Sequence, residues 1–142
     1  MNRPEKLLAV LLKFAGVLLM TAVVPAVMPF SWMQEIHRLL GMGELPEGPI
    51  VGYLTRSLSA MYAMHGAVLF FVSTNIDRYL PVIRFLAVAG VAFGLSMLVL
   101  DARMGMPPMW IAGEGPFIVV LCGVVLWLAR RCQLPPYSSR SA

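Results

Sequence analysis

Charge is scarce in this chain. Asp, Glu, Lys and Arg make up 13% of its 142 residues, against 59% hydrophobic residues. A soluble domain of this size needs far more polar surface to cover its exterior, so that class is excluded. Catalytic signatures are missing too: the sequence contains no H-E-x-x-H, no G-x-S-x-G and no P-loop. Their absence removes the zinc-peptidase, serine-hydrolase and P-loop phosphotransfer readings. There are two cysteines, Cys122 and Cys132, ten positions apart on one expected helix. That separation is about 15 Å at helical rise, too long for a disulfide within the chain. The second histidine, His37, lies far from His65 in a different segment, which disfavours a bis-histidine haem. The net charge of +4 does not indicate nucleic-acid binding, because the basic residues flank apolar runs instead of forming a patch. No internal repeat is present.

What is present is long apolar sequence. Four runs read as helical bilayer spans: Leu7–Phe30, about Tyr53–Ser73, Pro81–Leu100 and Pro116–Ala129. The expected fold is all-α, an integral membrane antiparallel four-helix bundle. It forms a single four-span domain over 1–133, with a disordered cytoplasmic tail over 134–142. The first run is too long for a signal peptide, is interrupted by Lys13 and lacks a small-residue cleavage site. Pro25 and Pro29 are expected to kink or end it. Ser31–Met42 places Trp32, Ile36, Leu39 and Leu40 on one side, which predicts a short interfacial amphipathic helix between spans one and two, with Ser31 as N-cap and Gly41 as C-cap. Gly43–Pro49 and Asp101–Gly115 read as loops, Asn75–Tyr79 as a tight polar turn, and Pro81 as the first residue of its helix.

The positions of Lys and Arg set an orientation. Arg3, Lys6, Lys13, Arg78, Arg84, Arg130, Arg131 and Arg140 fall on one side, and Arg38, Arg56 and Arg103 on the other. By the positive-inside rule both termini are cytoplasmic. The location expected is the bacterial inner membrane.

The second run carries the residues that demand an explanation. Arg56 and His65 are ionisable groups inside a span, where such groups are costly. At 100° per residue, Ala60, Ala63 and Ala67 fall near the face of Arg56, while Gly90, Gly94, Met97 and Asp101 share one face of the third run. Antiparallel pairing then sets Ala67 on Gly90, Ala63 on Gly94 and Arg56 on Asp101 in a single register. Glu114 falls at a similar depth, so Arg56, Asp101 and Glu114 are expected to form a charged cluster, structural or binding. Acid–base chemistry by the two carboxylates is a further option. His65 faces the opposite side and is expected to hydrogen-bond Tyr62 or another helix; a haem, quinone or proton-relay role is the other option. Met104, Met106 and Met109 form a thioether set that suits Cu(I), although methionine is also an ordinary filler of apolar interiors. The reading adopted has no cofactor.

The stretch from Tyr53 to Gly66, with Arg56, Tyr62 and His65, resembles small uncharacterised bacterial four-helix membrane proteins. So do Arg78–Phe85 and Asp101 followed by Gly113-Glu114-Gly115-Pro116-Phe117. A distant similarity to the DoxX-like group accompanies it. The resemblance implies the architecture and no activity. The function expected is a non-enzymatic accessory or a lipid- or small-ligand-binding protein, with membrane lipids and a second copy or another membrane protein as partners. The other candidate is a small membrane enzyme or transporter using Arg56, Asp101 and Glu114.

Overall fold

A computed structural model describes residues 3–132, and every regular element among them is α-helical. The elements are α1 (Arg3–Met20), α2 (Val23–Val27), α3 (Phe30–Leu39), α4 (Pro49–Val72), α5 (Ile76–Met104), α6 (Pro108–Gly113) and α7 (Gly115–Arg131). The tail expected over 134–142 lies outside the described residues. Among the described residues, three stretches are long and apolar enough to cross a membrane: Arg3–Val27, Ile76–Met104 and Pro108–Arg131, of 25, 29 and 24 residues. At about 1.5 Å per residue each exceeds a hydrocarbon core of about 30 Å. The 24-residue α4 has comparable length, but Arg56, His65 and its hydroxyl residues dilute its apolar character.

Boundaries shift from the expected ones for identifiable reasons. The first run breaks at Thr21 and Ala22, between α1 and α2. Pro25 has no N–H for the Thr21 carbonyl, and its ring crowds that group; the carbonyl accepts from Val24 instead, at 3.0 Å. Helix α3 starts at Phe30 after Pro29, and no side chain caps it, so Ser31 is not the N-cap. Its end is a Schellman turn: Gly41 at φ +75° donates to Arg38 O, and Met42 to His37 O, at 3.0 and 3.2 Å. The expected turn at Asn75–Tyr79 is the start of α5, where Asn75 Oδ1 accepts from the Arg78 N–H at 3.1 Å. Pro81 therefore lies inside α5 and not at its first position. The expected loop at Asp101–Gly115 is mostly helix, interrupted at Gly105 (φ +67°) and around Glu114.

The chain divides into two compact units, Met1–Lys13 with Val72–Ala142, and Phe14–Phe71. In the first, α5 packs along α7. Buried positions Ile76, Leu80, Ile83, Ala87, Gly94 and Asp101 are spaced by three, four or seven residues and form one stripe. At the crossing, a Cβ on Gly94 would lie 2.9 Å from Gly115 O, and one on Gly115 would lie 2.7 Å from Gly94 O. Gly90 faces Cys122. The glycine face of α5 is therefore occupied by α7, which corrects the pairing of Gly90 and Gly94 with Ala67 and Ala63. At one end of this unit Arg84 Nη2 donates to Ala129 O at 2.8 Å, capping the last turn of α7.

In the second unit Gly16 and Gly66 let α1 and α4 meet backbone to backbone. A Cβ on Gly66 would lie 2.6 Å from Gly16 O. Met28, Met33 and Leu45 form a small core with Phe30 and Val51 against it. That cluster fixes α3 and the following loop over the start of α4.

Candidate functional site

The first two turns of α4 place Pro49, Gly52, Tyr53 and Arg56 on one stripe, since spacings of three and four return to the same face. Beside them, Phe30, Glu47 and Gly48 complete the lining of an open cavity of about 640 Å³. That volume lies within the range of small-molecule sites, about 300–1,000 Å³. Gly52 matters for its missing side chain: a Cβ there would stand 3.3 Å from Arg56 Nη1. The guanidinium thus lies across bare backbone.

Arg56 is half-buried and donates through Nη2 to Met28 O at 3.1 Å. Met28 is extended at the break between α2 and α3, which frees its carbonyl for this bond. A guanidinium carries five N–H donors, and this is its single hydrogen bond among the described residues. Glu47 is the one acid in the lining. The arrangement favours an anionic group carrying two acceptor oxygens, in the bidentate geometry Arg prefers.

A second hollow of about 410 Å³ adjoins through Glu47, lined also by Ser31, Gln34, Glu35, Arg38, Glu44 and Leu45. Here Arg38 donates to both oxygens of Glu35 at 2.8 and 2.9 Å, an exposed pair that raises the Arg38 pKa further above its ordinary value. Glu44 and Glu47 carry the net charge of this hollow.

The other expected site residues are spread along the chain. Asp101 and Glu114 belong to the first unit. Asp101 is 6% exposed, and its Oδ2 is buried with no hydrogen-bond partner among the described residues. Glu114 is half-buried at the bend between α6 and α7, and its carboxylate makes no cap to α7. His65 is exposed on α4 and has no hydrogen-bond partner among the described residues, so the expected bond to Tyr62 is not made. Tyr62 is half-buried. Met104 and Met109 are 72% and 74% exposed, one on each side of the bend that holds Met106. Glu47 is the site residue sequence reasoning missed. Its signal was the pair of glutamates set among Gly and Pro directly before α4.

Comparison with known proteins finds no matching family model, no matching curated protein and no matching solved structure.

Proposed function

We propose that this chain is a non-enzymatic, multi-pass protein of a bacterial inner membrane that binds an amphiphile by its anionic group at Arg56. In this reading α1–α2, α4, α5 and α6–α7 make four antiparallel crossings, both termini are cytoplasmic, and α3 lies in the outer interface. Supporting it are three stretches apolar enough to span, a fourth helix of similar length and the one-sided distribution of Lys and Arg. The resemblance to small four-helix membrane proteins agrees with that architecture.

The observation that carries the binding function is the cavity lined by Arg56, whose guanidinium has a single acceptor among the described residues, Met28 O. A half-buried cation with donors to spare beside open apolar surface suits a headgroup anion. Purification in mild detergent followed by native mass spectrometry tests this. Wild-type protein is expected to retain an anionic or zwitterionic lipid, and Arg56→Ala to lose it, with affinity lower by at least about tenfold. Equal lipid retention by both proteins would reject the reading.

A second reading, a small membrane enzyme or transporter that uses Asp101, is favoured by one observation: the buried Asp101 carboxylate has an oxygen with no hydrogen-bond partner among the described residues. Intramembrane carboxylates of this kind often mark ion or proton pathways.

A further inference from the structure

The first hollow of the Phe14–Phe71 unit sets one cation, Arg56, and one acid, Glu47, in the same lining, and Glu47 also lines the adjoining, net acidic hollow. In that second hollow Arg38 is neutralised by Glu35, which leaves Glu44 and Glu47 without an ion pair or hydrogen bond among the described residues. An anion alone would satisfy Arg56 and face repulsion from Glu47. A cation alone would do the reverse. We infer that the occupant is a zwitterion with a phosphate on Arg56 and a primary ammonium on Glu47, the chemistry of phosphoethanolamine. This deepens the proposed binding function and rests on it.

The surroundings favour a lipid as the source of that headgroup. Ile50, Tyr53 and Leu54 at the start of α4 are 64%, 67% and 56% exposed, and Trp32, Ile36 and Leu39 form an exposed row along α3. These surfaces offer apolar area for acyl chains beside a polar headgroup site. A primary ammonium brings N–H donors to Glu47 in charge-assisted hydrogen bonds. A glycerol headgroup brings hydroxyls and no positive charge.

The test uses the full chain, purified in detergent and stripped of lipid. Binding of phosphatidylethanolamine and phosphatidylglycerol with identical acyl chains is measured by native mass spectrometry and thermal shift. Free O-phosphoethanolamine serves as a competitor. Wild-type protein is expected to favour the ethanolamine lipid by about tenfold, the effect of one charge-assisted hydrogen bond. Glu47→Gln should erase that preference while still binding both lipids. Arg56→Lys should weaken both lipids in parallel, and the melting temperature of the lipid-free variant checks that it folds. Competition by the free headgroup compound identifies the headgroup as the recognised part. Its binding as tightly as the lipid would assign a soluble ligand of the same chemistry. Equal binding of the two lipids by wild type, or a preference that survives Glu47→Gln, would overturn the zwitterion inference alone. Failure of wild type to bind either lipid, or unchanged binding by Arg56→Lys, would remove the underlying site as well.

Discussion

Asp101 and Cys132 show how burial acts on single polar side chains in this fold. Asp101 lies on the buried stripe of α5, so helical periodicity alone carries it inside. If it is only an orphaned acid, Asp101→Asn should leave the melting temperature unchanged or raise it, because a buried unsatisfied carboxylate is costly. If it holds a cation, as the transporter reading requires, the same variant should lose about 3 kcal/mol. Unfolding in detergent decides between the two. Cys132 is 3% exposed, and its Sγ donates to Leu128 O at 3.4 Å. Burial first, then Glu5 and Asp77, push its pKa up, with Arg84 acting in the opposite direction. The thiolate is the reactive form. Maleimide labelling of Cys132 in folded protein should therefore be slow at neutral pH and should rise only at a higher pH than in denatured protein. Equal rates in the two states would contradict this placement.

At the scale of elements, the helices are joined where side chains are absent. Gly94 and Gly115 seat α5 on α7, and Gly16 and Gly66 seat α1 on α4. Gly94→Ala or Gly66→Ala forces backbone apart and should cost about 1–3 kcal/mol. Gly113→Ala meets nothing within 4 Å and serves as the matched control, with little change expected. Stability in a detergent titration provides the measurement. The G-x-x-x-G face of α5 was legible from residue spacing, because that spacing is a local property. Its partner was not. The expected register used the helix adjacent in sequence, whereas the face is filled by α7 across the bend at Glu114. Small faces are interchangeable in sequence, and only backbone approach within van der Waals distance distinguishes them.

For the whole molecule, α4 sets the number of crossings, because it has the length of a span but carries Arg56 and His65. Single-cysteine variants on a Cys122→Ser, Cys132→Ser background test it. Glu44→Cys and Asp77→Cys lie beyond opposite ends of α4. Four crossings require that an impermeant thiol reagent reach Glu44→Cys and Asp77→Cys from opposite sides of the membrane, one of them only after the membrane is opened. Labelling of both from the same side would leave three crossings.

The long apolar helices, the face shared by Gly90, Gly94 and Asp101, and the amphipathic segment after the first run follow from the sequence by itself, because a 3.6-residue period is written locally into the order of apolar and polar side chains. Tertiary structure alone decided which glycines meet and that Arg56 shares a hollow with Glu47, Phe30 and Tyr53. A long guanidinium can reach many acceptors, and which one it finds depends on how Met28, Met33 and Leu45 fold the intervening loop back over α4. That folding depends on contacts between residues far apart in the chain, which no local pattern records.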